Sequence, residues 1–198
     1  MKKSMIALML CIVSIMVMSQ EQIGSYTMGY FDGKEYKIQA SAPKNGKFDF
    51  YIDVEGERKS DNVNLLLENT ELEKFKTVFT QVRDKYLEWA KTAKANNVTD
   101  INKDFPWSFP KLSVAWYGSK WWFSFNRYFT PRFMVFKDGT SAMVLSAKVV
   151  SSSNEYIDQK FYLVLQTEEE FNQILDVLNE EKVINYFKNK ENTKDLFK

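Results

Sequence analysis

The sequence predicts an α+β protein, a meandering antiparallel sheet with two capped amphipathic helices packed on one of its faces. Three observations carry this. Over most of the chain apolar residues alternate with polar ones in short runs closed by turn residues, the pattern of half-buried strands. Two segments instead repeat their apolar residues at spacings of three and four, and each opens on a Thr-x-x-Glu capping box. Each helical segment follows several strands, the order of an α+β chain.

The N-terminus determines which residues count. Lys2 and Lys3 precede the uncharged apolar run MIALMLCIVSIMVM (residues 5–18), and Val17-Met18-Ser19 offers a small-residue cleavage site. This is the order of a secretory signal, and the run is shorter than the roughly 20 residues a membrane-spanning helix needs. Residues 1–19 are therefore expected to be cleaved, leaving 20–198 as a single α+β domain, secreted or periplasmic, with no membrane span. Cys11, the only cysteine, would leave with the signal. Without it no disulfide can form, and the chain has no histidine, so such a domain is held by its core alone.

In chain order, GSYTMGY, EYKIQASA, KFDFYIDVE and NVNLLLE read as four strands. Thr70-Glu-Leu-Glu73 then opens a helix whose stripe runs through Leu72, Phe75, Phe79, Val82, Tyr86, Ala90 and Ala93 and ends near Asn96-Asn97. DINKDFPWSFP reads as a loop. Strands return at KLSVAWY, KWWFSFN, RFMVFK, TSAMVLSAKVVSS and DQKFYLVLQ, and Thr167-Glu-Glu-Glu170 opens a second helix with the stripe Phe171, Ile174, Leu175 and Leu178. The apolar register shifts beyond Asn179, which predicts a break or kink there. The halves 20–97 and 111–188 share one order. That order fits a duplicated unit, and equally the common look of any strand that leads into a capped helix.

Register sorts the aromatic-rich stretch between Lys111 and Phe133. Gly118-Ser119 fits a two-residue hairpin turn with a positive-φ glycine, which sets Trp116 opposite Trp121, Ala115 opposite Trp122, Val114 opposite Phe123 and Leu112 opposite Phe125. Alternation then places Leu112, Val114, Trp116, Trp121, Phe123 and Phe125 on the core face. Tyr117, Lys120, Trp122, Ser124 and Asn126 fall on the other face, together with Ser113 and Ala115. Trp122 stands out there, either covered by the rest of the molecule or available to a partner, and those five residues are the candidate binding set. In the first half, pairing across Pro43-Lys47 places Tyr36, Ile38, Ala40 and Ala42 against Val54, Ile52, Phe50 and Phe48. The reverse face becomes a polar wall with Lys37 opposite Asp53, Gln39 opposite Tyr51 and Ser41 opposite Asp49, and with Glu55 beyond.

Composition and motifs exclude more than they identify. The 27 Lys and Arg nearly balance 26 Asp and Glu, so nothing suggests nucleic acid as partner. Without histidine the usual Ser-His and Cys-His nucleophile systems are absent, and zinc loses its commonest ligands. Ser41-Ala-Pro-Lys44, Ser108-Phe-Pro-Lys111 and Ser60-Asp-Asn62 match, by letters, two of three signatures of penicillin-binding and β-lactamase enzymes. Each S-x-x-K holds a proline before its lysine and lies between strands, and no K-T-G is present, so these are chance matches. Lys148, a charge inside an apolar strand, is expected to pair with a carboxylate, snorkel or line a pocket.

Three function classes remain. An exported non-catalytic binding or interaction module, with a protein or glycan partner in the cell envelope or outside the cell and no cofactor or metal, fits the leader and the lack of a catalytic set. A carrier holding an apolar ligand between sheet and helices is the second. The third is a hydrolase built on Asp49, Asp53 or Glu55, carboxylates that share one strand face.

Overall fold

The computed structural model describes residues 20–58 and 61–195, so the expected signal segment 1–19 lies outside the described residues. Four strands come first: β1 (Gln20–Met28), β2 (Lys34–Ser41), β3 (Asp49–Gly56) and β4 (Val63–Glu68). Helix α1 (Leu72–Ala95) follows, then β5 (Ile101–Asp104), β6 (Leu112–Tyr117), β7 (Trp121–Arg127) and β8 (Arg132–Val135). The chain closes with β9 (Ser141–Ser151), β10 (Asn154–Leu165), α2 (Glu168–Val177) and α3 (Glu180–Asp195). The fold is α+β, with an entirely antiparallel ten-stranded sheet.

The strands run in the order β5-β8-β9-β10-β3-β4-β6-β7, and β2, carrying β1, branches from β3. β3 is shared: Phe50–Ile52 pair with β2, whereas Glu55 and Gly56 pair with Tyr162 and Phe161 of β10. The sheet also curls. The Ser152 N–H, at the β9–β10 turn, donates to the Phe123 carbonyl at 2.7 Å, and the Ser152 hydroxyl accepts from the Phe125 N–H. The edge of β7 is thus tied to a hairpin distant in sequence, and part of it is no longer open for pairing with another chain.

One continuous core lies between the inner face of the sheet and the helices. Phe75 of α1 stacks on Phe79 and on Phe109, and Phe79 meets Phe109 and Phe171 of α2 at a tilt, with ring centroids 5.0–5.9 Å apart. Each buried ring contributes about 2–3 kcal/mol by leaving water. Tyr86 anchors the other end of α1 by donating to the Gln166 carbonyl at 2.6 Å. The β2–β3 connection turns through Asn45 and Gly46, both at positive φ as a two-residue hairpin turn requires. Its register is the expected one, with Ile38 opposite Ile52 and Ala40 opposite Phe50.

The second capping box forms: Thr167 Oγ1 accepts the Glu170 N–H, and the Glu170 carboxylate accepts that of Thr167. The helical stretch breaks at Leu178-Asn179, and the Asn179 side chain caps α3 by accepting the Lys182 N–H. Lys148 lies at the surface and pairs with Asp158 at 3.0 Å.

Three expectations are corrected. The first capping box does not form: the chain enters α1 through a 3-10 turn at Asn69–Glu71, and Glu71 precedes the helix without a capping side-chain bond. The Asn69 N–H stays bonded to the Phe48 carbonyl, and its side chain accepts the Phe48 N–H. The helix therefore starts too late for Thr70 to cap it. Second, β5 lies within the expected loop. Its four residues are exposed and lack apolar alternation, and β5 owes its conformation to pairing with β8, reinforced by Arg132 on Asp104 at 2.9 Å.

The third correction concerns the β6–β7 hairpin. The Gly118 N–H donates to the Lys120 carbonyl, Gly118 is absent from the positive-φ residues, and Tyr117 pairs with Trp121, which makes a three-residue connection through Gly118-Ser119-Lys120. Every pair then moves by one: Trp116 faces Trp122, Ala115 faces Phe123 and Val114 faces Ser124. Because side chains alternate with period two, this slip exchanges the two faces of β7. Farther along, Leu112 pairs with Arg127, and Asn126, at φ 56°, takes up the irregularity.

Candidate functional site

The corrected register puts an unusual surface on the outside. Along β7 the more apolar set, Trp121, Phe123 and Phe125, points away from the core, whereas Ser124 is completely buried. Trp121 is 44% and Phe125 52% exposed. Trp121 meets Tyr117 edge to face at 5.5 Å, and Phe123 lies parallel to Phe125 at 5.6 Å. The four rings form an aromatic border along one side of the outer face.

Beside that border the antiparallel register lines residues up in rows across β3, β4, β6 and β7. Asp53, Asn64, Ala115 and Phe123 make one row, and Tyr51, Leu66 and Ser113 the next. Asp53 and Asn64 open into a groove of about 390 Å³, whose walls include Lys34, Lys37, Gln39, Asn62 and Trp121. Burial pushes the Asp53 carboxyl up to about 6, although the backbone N–H of Lys37 and the charges of Lys37 and Lys34 pull it down. Asn64 is 6% exposed, and its Oδ1 accepts no hydrogen bond among the described residues. Leaving a buried acceptor unpaired costs about 1–3 kcal/mol.

A second cleft, of about 310 Å³, lies beyond Leu66 and is lined by Asp49, Glu68, Ser113 and Phe125. Asp49 and Glu68 are direct cross-strand partners, and burial followed by the Glu68 charge raises the Asp49 carboxyl. Glu55 is placed differently. Where β3 passes from β2 to β10, its Oε2 accepts from the Tyr36 hydroxyl at 2.5 Å and from Lys34 Nζ at 2.6 Å. Burial and this bond raise the Tyr36 hydroxyl well above its ordinary value. Asp49 thus stands apart from the other two carboxylates of β3, whereas Asp53 and Glu55 share Lys34 as a neighbour.

The five residues singled out in the hairpin do not share a face. Tyr117 is exposed on the outer side. Trp122 and Ser124 share the inner side, where Trp122 packs against the core and the Ser124 hydroxyl accepts from Arg127 Nε at 3.0 Å. Lys120 lies in the turn with its ammonium 4.4 Å above the Trp122 ring. Asn126 sits at the register shift, its N–H bonded to the Ser113 hydroxyl. Trp121, Phe123, Phe125 and Asn64 were not anticipated. A three-residue turn would have found the first three, but its price in the sequence is a strand with its apolar side outward, which alternation argues against.

Among the described residues no group of three or more acidic side chains is placed to hold a metal ion, and no helix is long and apolar enough to cross a membrane. The architecture and outer face define an antiparallel α+β protein with an aromatic-bordered groove. Comparison with protein families, with curated proteins and with solved structures finds no match for this chain.

Proposed function

We propose that this protein is an exported, non-catalytic binding module that holds a protein or glycan partner of the cell envelope or extracellular space against the outer face of β3, β4, β6 and β7. The observation that carries the reading is the inverted strand: β7 buries Ser124 and presents Trp121, Phe123 and Phe125. Keeping large rings in water forgoes about 2–3 kcal/mol each, and a contiguous exposed apolar patch marks an interaction surface. Aromatic rings supply area at low entropic cost, and the polar groups next to them supply direction.

Two further features favour surface binding over the other classes. The centre of the space between sheet and helices holds the Phe75–Phe79–Phe109–Phe171 cluster, and the cleft of about 860 Å³ at the far end of α1 is open and carries Lys91, Lys94, Asn97 and Asp138 in its walls, so neither is a closed apolar chamber for a carried ligand. Asp53 lines the first groove, Asp49 the second, and Glu55 is bound to Tyr36 and Lys34, so these carboxylates do not face one another across one cleft.

Capture of partners from a native envelope extract tests the reading. Trp121→Ala with Phe125→Ala should abolish capture while the melting temperature stays within a few degrees of the parent. Undiminished capture by the double variant would sink it. Export rests on the order of charge and apolar residues in 1–19, and N-terminal sequencing of exported material should begin at Gln20.

A further inference from the structure

Within the binding face, and resting on that reading, we infer that the Asp53–Asn64 groove is the subsite for one uncharged sugar ring, with Trp121 as its stacking platform. The groove demands donors. Asn64, more than nine-tenths buried, lines the groove opposite Asp53, and its Oδ1 lies beneath the groove surface with no donor among the described residues. A ligand that supplies O–H or N–H groups removes the penalty of the orphaned acceptor, whereas a phosphate dianion or a carboxylate has no donor to offer.

The mixture of donors and acceptors in the lining decides between the remaining ligands. An ammonium would suit Asp53 and the Trp121 ring, but the lining sets Lys34 and Lys37 beside Glu35, Asp53 and Asp61, and an ammonium, which only donates, cannot answer the lysine donors. Hydroxyl groups do both: they can accept from the lysines while donating to Asn64 and to the carboxylates. A pyranose has hydroxyls around its rim and C–H groups on its face, so it fits a site that joins an exposed indole to amide and carboxylate acceptors. A groove of about 390 Å³ falls at the small end of ordinary ligand pockets, which is the scale of one or two rings and not of a folded partner.

The test titrates the purified protein with neutral trisaccharides of glucose, N-acetylglucosamine, galactose and mannose by calorimetry, with spermidine and inorganic phosphate as charged probes. At least one trisaccharide should bind with a Kd between about 1 mM and 1 μM, and Asn64→Leu and Trp121→Ala should each weaken it about tenfold or more. Asn64→Leu removes the orphaned acceptor, so its melting temperature should equal or exceed that of the parent, which separates loss of ligand from loss of fold. No saturable binding of any trisaccharide, equal binding by both variants, or binding of spermidine or phosphate in place of sugar would each overturn the inference. If sugars fail while envelope capture still depends on Trp121 and Phe125, the binding face stands and only the sugar subsite falls. If capture is indifferent to those rings, the face itself falls.

Discussion

Asp53 and Asn64 lie directly opposite each other on β3 and β4, a half-buried carboxyl held near 6 beside a buried amide oxygen that has no donor among the described residues. Two acceptors side by side are poorly solvated in the free protein. The pair therefore has a thermodynamic signature that can be measured without any ligand.

The first is a pH dependence of stability. The Asp53 pKa in the folded protein, about 6, exceeds the unfolded value near 3.9, so the folded state binds more protons between them. The contribution is fully present below about pH 4 and is lost as pH rises through about 6. Because the group keeps part of its exposure, solvent screening holds the effect to about 1 kcal/mol. Urea melts of the parent and of Asp53→Asn from pH 4 to 7 should show the variant gaining relative stability as pH rises. A difference independent of pH would show that Asp53 is not displaced.

The hairpin register has its own test in the tryptophans. Trp116→Ala should cost about 3–5 kcal/mol and Trp122→Ala about 2–3, since both rings face the core side. Trp121→Ala should stay within about 0.5 kcal/mol. The opposite ranking of Trp121 and Trp122 in denaturant melts would restore the two-residue turn.

Glu170 joins the start of α2 to the end of β1. Its buried carboxylate accepts the N–H groups of Gly29, Gln166 and Thr167. Replacing it with alanine strands these donors, at about 1 kcal/mol each, and should lower stability by roughly 3 kcal/mol. Hydrogen exchange should localise the loosening to Gly29 and to the first turn of α2. Uniform protection there would argue against the tie.

Asp49 and Glu68 repel across adjacent strands. Glu68→Lys should raise stability by about 0.5 kcal/mol at neutral pH, with the gain shrinking as salt is added. An NMR titration of Asp49 in that variant should show its carboxyl moving down toward the ordinary range.

Most of the secondary structure was legible in the sequence because it rests on local, periodic information. The α1 stripe from Leu72 to Ala93, the Thr167–Glu170 box and the break at Asn179 are all relations between near neighbours. The β2–β3 register was legible as well, because an Asn-Gly turn and one wholly apolar side leave Ile38 a single favourable partner, Ile52. The β6–β7 hairpin lacks that constraint: both sides of β7 carry aromatic residues, so alternation favours the inward placing of Trp121, Phe123 and Phe125 only weakly and is overruled by the rest of the sheet. Bonds distant in sequence decide it, from Tyr117 N–H to the Asn62 carbonyl and from Ser152 N–H to the Phe123 carbonyl. The same holds for β5, an apolar-poor strand made by its pairing with β8, and for Asn64, whose missing donor appears only once β3, β4 and β6 are side by side. Period and capping act within a few residues, whereas which face of β7 meets water is set by the free energy of the whole sheet.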